Sequence, residues 1–491
     1  MSADSDAVRA AELRRGKVGL AMIGAYGSGT VVDSVTMQAL TVFLFFYLTI
    51  VCGLSGTLAG LSGAVALAID AIADPLVGSA SDNSWSRLGR RHPFMFASIA
   101  PLAIALGLLF SVPLGLSGWP LFAYVTAVSI VLRASHSAYF LPYVGLGAEL
   151  TDDYGERTWV VSSRFVFSLV GGVACLSIGQ QLFHVGQKEH LAVANYPGFA
   201  WTIAALVLIG GLFTAFATLP ALKRLHRVAR TGRPVLVQLG HDVVEIFRNP
   251  SFNAIFVFLL LLFTGAGVAA VLLLHMLNYF WSLPSNLIYA VTLTGPMGAV
   301  IGVPFTLTLT RWVEKRSVVI WGASLWCVLQ AALPLMKIAG LLPAAGPLLY
   351  GLVLAGAALQ GVITVAVAIA FQSAMADAAD EHEHLFGTRR ESLYYAALNF
   401  SAKAATALGV LIAGISTDLI HFPSALAARG GANFHVAPDV LRNLGFIYGP
   451  GVAAIYAVGI VIFLGYRLDK RRHAEIQAAL AERRRANAGA D

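Results

Sequence analysis

Apolar residues run through the chain in long blocks, broken by short stretches of glycine, proline or charge. The blocks fall at about 18–50, 54–81, 93–117, 119–149, 159–185 and 198–220. A second set falls at about 251–280, 285–311, 317–337, 343–375, 391–421 and 443–468. Each has at least the roughly 20 residues that carry an α-helix across a hydrocarbon core. Between the two sets, "KRLHRVARTGRPVLVQLGHDVVEIFRNP" is basic and interrupts the pattern. The pattern predicts an all-α membrane protein of twelve transmembrane helices in two six-helix halves, 18–220 and 251–468. A linker at 221–250 joins the halves, and polar tails occupy 1–17 and 469–491.

Composition agrees. Of 491 residues, 57% are hydrophobic and 12% charged, where a soluble protein carries about 25% charge. The mean hydropathy is +0.74. Lipid therefore faces most of the chain, and the bilayer is its first partner. Cys52, Cys175 and Cys327 each stand alone in apolar stretches, which gives neither a disulfide framework nor a metal knuckle. The net charge of +7 follows membrane topology and implies no nucleic acid. Basic residues crowd the N-terminal tail, the turn at Arg87, Arg90 and Arg91, the linker, the turn at Arg311 to Arg316, Arg389 and Arg390, and the C-terminal tail. Alternate loops are nearly bare, so the positive-inside rule places both termini and the linker in the cytosol. "MSADSDAVRAAELRRGK" lacks the apolar region of a signal peptide and reads as a cytosolic tail. The basic, helix-prone tail after 468 reads as a membrane-surface or solvated helix. Two six-helix halves around a cytosolic linker is the arrangement of major facilitator transporters.

Several charges lie at bilayer depth, where one carboxylate costs at least about 2.5–3.5 kcal/mol. "DAIADPLVGSASDNSWSRLGRRHP" places Asp70 and Asp74 at i and i+4, on one helix face. Two acids so placed titrate as a coupled pair. Either a proton or a small hard cation such as Na⁺ relieves their repulsion; the alternative is a permanent ion pair with basic residues of the bundle. Asp33 lies midway along the first block, Arg133 and His136 interrupt the fourth, Arg164 begins the fifth, and Lys403 sits inside the eleventh. Arg164 has a plainer account as a side chain reaching the cytosolic surface. Lys403 has one as a static salt bridge, and His136 and His275 have one as packed core histidines.

Three blocks resemble the glycoside–pentoside–hexuronide:cation symporters, a family of the major facilitator superfamily. They are "DAIADP" with the loop after it, "LPYVGLGAELTDDYGERTWVVSSRF" at 141–165, and "ADAADEHEHLFGTRRESLYYAALNFSAKAATA" at 376–407. They stand in the family's order and spacing, and the likeness extends over 18–470. The resemblance implies cation binding by Asp70, Asp74 and Ser137, with no cofactor beyond a coupling ion, H⁺ or Na⁺. It implies a central substrate site using Arg164 and Lys403, with Asp33 within about a residue of a family aspartate used for sugar. Asn399, Arg133 and His136 complete the candidates.

The departures from the family are informative. Ala73 stands where the family carries an amide between the two acids, which removes an oxygen ligand and favours H⁺. Phe140 replaces a sugar-binding aspartate, Val144 an aromatic platform, and Leu398 and Asn399 other polar positions. Arg133, His136, Arg164 and Lys403 make the site cationic, so an anionic substrate such as a uronide is expected. The loop after the second block, with Asp82, Arg87, Gly89, Arg90 and Arg91, reads as a cytosolic gate bridging to Asp153 or Glu156. The same arginines also anchor topology. Arg390 and Glu391 belong to a second gating loop, "DEHEHLFGTRRES", whose His382 and His384 read as solvated rather than as a metal site.

The expected protein is a monomeric secondary symporter of the bacterial inner membrane. It would import a sugar, glycoside or uronide by alternating access. The alternative is a carrier of an amphiphile such as a lysolipid, since the animal lysolipid symporters share "DAxxDPLVG" and "RLGR" and also lack the aspartate at Phe140. An enzyme is not expected: an intramembrane aspartyl protease needs its two acids on separate helices, and no GxGD stretch occurs.

Overall fold

The computed structural model describes residues 17–84, 86–113, 115–151, 153–184, 195–224, 247–386, 391–424, 436–466, 468 and 470–488. Among them every regular element is helical, and eleven helices are long and apolar enough to cross a membrane. The chain packs as two units: Met1–Gly232 with Gly414–Val436, and Arg233–Ala413 with Ala437–Asp491.

The first unit contains α1 (Leu20–Gly27), α2 (Thr30–Gln38), α3 (Gly56–Asn83), α4 (His92–Leu109), α5 (Gly118–Glu149), α6 (Tyr154–His184) and α7 (Tyr196–Ala217). The apolar block at 18–50, expected as one span, is α1 and α2 followed by π-helical turns at Ala39–Leu44 and Tyr47–Val51, so it falls outside the eleven. It breaks at Ser28 and Gly29. Ser28 Oγ donates to the Ala25 carbonyl and lies 3.0 Å from Thr214 Oγ1. A Cβ at Gly29 would stand 2.5 Å from the Tyr143 ring. Close packing on α5 and α7 sets the break, which hydropathy does not register.

The second unit contains α8 (Pro250–His275), α9 (Ser285–Leu309), α10 (Lys315–Ile338), α11 (Pro347–Phe386), most of α12 (Glu391–Leu419), α13 (Pro438–Phe446), α14 (Val452–Phe463) and α15 (Lys470–Ala488). Helix α11 has 40 residues, about 60 Å at 1.5 Å per residue, and so outruns any bilayer core. Residues 380–386, expected as part of a solvated loop, belong to its last turns. The stretch 376–386 holds three alanines and neither glycine nor proline before Gly387. His382 is buried there against the Phe386 and Tyr394 rings. The C-terminal tail does not simply lie in solvent either. His473 and Gln477 of α15 reach Asp380 at 3.0 and 2.6 Å, Asp377 holds Lys315 at 2.9 Å, and Ile476 and Leu480 are buried.

Large apolar side chains such as Leu20, Trp119, Ile209, Trp312 and Trp321 point outward. Exposure on this scale fits a lipid-facing surface, and the tryptophans at helix ends suit the interface.

Helix α3, which carries the acid pair, is anchored at its start. The Asp418 carboxylate accepts from Gly56 N at 2.8 Å and Thr57 N at 2.7 Å, and Ser55 Oγ accepts from Leu58 N. Charged acceptors on orphan helix-end N–H groups are strong. Asp418→Ala is expected to lower stability by about 1–2 kcal/mol, measured as a fall in melting temperature in detergent. An unchanged melt would show that the contact contributes nothing.

Candidate functional site

Helix α3 sets Asp70 and Asp74 one turn apart, and Pro75 follows directly. Lacking an N–H, Pro75 leaves the Ala71 carbonyl without its helical donor between the two acids. Helix α5 packs along α3 and supplies Ser137 and Arg133, one turn apart on the facing side. Ser137 Oγ lies 2.7 Å from Asp70 Oδ1 and 2.6 Å from Asp74 Oδ1. The Ser137 hydroxyl thus lies within hydrogen-bond reach of both acids. Arg133 Nη1 stands 3.8 Å from Asp70 Oδ2, and its charge acts on both acids. Asp70 is 3% exposed. The sequence-predicted cation site is thus brought together with one of the sequence-predicted substrate residues, Arg133.

A second polar cluster stands beside it. His136 Nε2 lies 2.9 Å from Asp33 Oδ1, and the imidazole stacks on Phe140 at 5.4 Å. The Arg164 guanidinium lies over Phe140 and Tyr143, 5.8 and 5.6 Å from the ring centres. Its Nε is buried and has no hydrogen-bond partner among the described residues. The Tyr143 hydroxyl donates to the Tyr26 carbonyl at 2.8 Å and meets Thr30 Oγ1 at 2.7 Å, which fixes the ring under the guanidinium. Arg164 therefore rests on aromatic faces.

Asn399 and Lys403 lie on α12 in the second unit. Asn399 lines a cavity of about 330 Å³ whose walls are mainly Leu259, Phe263, Trp326, Phe371 and Tyr456, with Gln372 and Thr364 as further polar groups. Trp326 stacks on Tyr456 at 4.2 Å. Lys403 is half-buried, one residue beyond Ala402 of the cavity wall.

The turn after α3 holds a network different from the expected one. Gly89 takes φ 73°, the left-handed conformation that suits glycine. Arg90 and Arg91 both grip Glu149, with Arg91 Nη2 at 3.0 Å from Glu149 Oε1. Arg91 also reaches Asp82 at 2.6 Å and Ser81 at 3.1 Å, while Arg87 is exposed. Asp153 and Glu156, the expected partners, are committed elsewhere. Asp153 Oδ1 caps α6 by accepting from Glu156 N at 2.8 Å, and Glu156 accepts from Val18 N and Thr151 Oγ1. Glu149 was missed because it ends an apolar block. Its signal was Gly145 one turn earlier, where a Cβ would come within 2.8 Å of Arg91 Cζ. Arg390 lies outside the described residues, and Glu391 is placed only as the start of α12.

Glu149→Gln removes the charge that both arginines share. It is expected to raise maleimide labelling of a cysteine placed at buried Ser81 severalfold, whereas Asp153→Asn leaves labelling unchanged. Equal labelling in the two variants would contradict the assignment of Glu149 as the anchor.

Comparison with known proteins follows the same line. The MFS/sugar transport protein family matches residues 25–470. An uncharacterised symporter of Synechocystis sp. is 24% identical over 94% of this chain and 97% of its own length. The glucuronide carrier protein homolog of Escherichia coli is 24% identical over 94% and 95%. Among solved structures, the nucleoside transporter NupG superposes with a TM-score of 0.63 at 13% identity, over 91% of this chain and 99% of that one; at that identity the likeness is one of fold. With a family match spanning nearly the whole chain and helices built for lipid, the protein is a membrane transporter of the MFS/sugar transport family.

Proposed function

We propose that the protein is a cation-coupled symporter that imports a small anionic glycoside, of the uronide type, across a bacterial inner membrane by alternating access. The observation that carries this reading is the cluster of buried Asp70 and Ser137 with half-buried Asp74, two acids concentrated inside a transporter's helices. Such charge is expensive in hydrocarbon, and a coupling ion, H⁺ or Na⁺, lowers the cost of moving it past the apolar barrier. Substrate and ion then strengthen each other's binding, because the coupling free energy is reciprocal.

The substrate class rests on Arg164. A guanidinium seated on aromatic rings with a buried, unpartnered Nε is matched by a carboxylate or similar anion. Asp33 and His136 beside it supply hydrogen-bonding groups for hydroxyls. Phe140, only partly buried, offers an apolar surface against which a sugar ring can lie. Asn399 and Lys403 are the residues proposed from the second unit.

The apolar cavity of the second unit favours one further reading, an amphiphile such as a lysolipid whose chain occupies the space beside Trp326 and Tyr456. Uptake into membrane vesicles under imposed Na⁺ or H⁺ gradients, with neutral glycosides, uronides and lysolipids as probes, separates the readings. Accumulation of a uronide that Asp74→Asn reduces to background supports symport. Arg164→Ala is expected to raise the half-saturating uronide concentration at least about tenfold, corresponding to about 1.4 kcal/mol. Uptake of lysolipid alone, sensitive to Trp326→Ala, would establish the amphiphile reading. Downhill uptake indifferent to Asp74→Asn would overturn coupling.

A further inference from the structure

A metal cation at the acid pair does not fit the residues present. Oxygens that share a hard cation at about 2.3–2.6 Å stand about 3.3–3.7 Å apart at right angles. Here Ser137 Oγ is 2.7 and 2.6 Å from the two carboxylate oxygens, which is hydrogen-bond spacing. Residue 73, between the acids, is alanine and brings no side-chain oxygen. The other side of Asp70 is taken by Arg133, whose Nη1 is 3.8 Å from Oδ2 and whose side chain is 17% exposed. An arginine does not deprotonate in proteins, so this positive charge is permanent and tethered.

We propose that Arg133 is the built-in counter-ion of the Asp70–Asp74 pair and the specificity residue that keeps metal cations out of it, leaving the proton as the only ion the site accepts. This rests on the symporter reading of the site. The charged and titratable groups near the pair on α5 are Arg133 and His136, and His136 is turned to Asp33. Other charged or titratable groups that meet α3 do so near its ends: Asp418 and the Tyr47–Val51 turn at its start, and Arg91 at Ser81 and Asp82. Arginine and an alkali ion compete for the same carboxylate oxygens. Removing the guanidinium opens both a space and a charge deficit, which Na⁺ or Li⁺ can fill.

The test needs no transport assay. Purified protein is melted in detergent across a titration of NaCl or LiCl, with choline chloride holding ionic strength constant. Ligands that bind only the folded state raise its melting temperature. The wild type is expected to show no Na⁺- or Li⁺-specific shift. Arg133→Gly is expected to gain a saturable rise of about 2–4 °C, and Arg133→Gly with Asp74→Asn to lose it again. Arg133→Gln is the second variant should the glycine fail to fold. A specific shift in the wild type that Asp74→Asn abolishes would overturn the proposal, as would the absence of a shift in both Arg133 variants. Failure of the symporter reading shows separately, as absence of gradient-driven uptake with this melting pattern intact.

Discussion

Everything about this chain's function turns on how charge is tolerated where water is excluded. Asp70 is almost fully buried on a helix whose neighbours are apolar. At an effective dielectric near 20, two unit charges 4 Å apart interact by about 4 kcal/mol, so an acid pair one turn apart cannot stand uncompensated. The structure compensates it locally. Ser137 bridges the two carboxylates, Arg133 supplies a fixed positive charge, and the arithmetic still leaves the group one charge short of neutral. That remaining deficit is what a symporter can use.

The rest of the first unit serves that arrangement. Asp418 secures the start of α3, and Glu149 with Arg90 and Arg91 secures the turn at its end. Between these anchors α5 lies close enough for a serine hydroxyl to touch both acids. The same helix carries His136, Phe140 and Tyr143, so one element links the proposed ion site to the proposed substrate site. Coupling between ion and solute then needs no long path: a shift of α5 by a fraction of an ångström alters Ser137, Arg133 and the ring under Arg164 together.

Much of this was legible in the sequence because lipid imposes simple rules. Block length and hydropathy predicted the helices, and the spacing of Asp70 and Asp74 predicted a shared face. What the sequence hid were contacts between distant segments. The break at Ser28 and Gly29 depends on Tyr143 and Thr214. Glu149 reads as the end of a span until Arg91 is seen against Gly145. Asp418 looks like one more polar residue at a helix end, 361 positions from the Thr57 amide it holds. The last turns of α11 were read as a loop because their charges suggested solvent. The structure instead continues the helix through them and buries His382. Arg133 was noted as a charge, but only its distance from Asp70 separates a substrate ligand from a counter-ion.

The central claim is that solute entry and a proton move together through the acid pair. It is tested most directly by recording external pH in a lightly buffered suspension of de-energised cells producing the protein, on addition of a uronide that the cells take up. The account predicts immediate alkalinisation of the medium, absent with Asp74→Asn and unchanged when Na⁺ is replaced by choline. Uptake of the same solute without any pH change would contradict it.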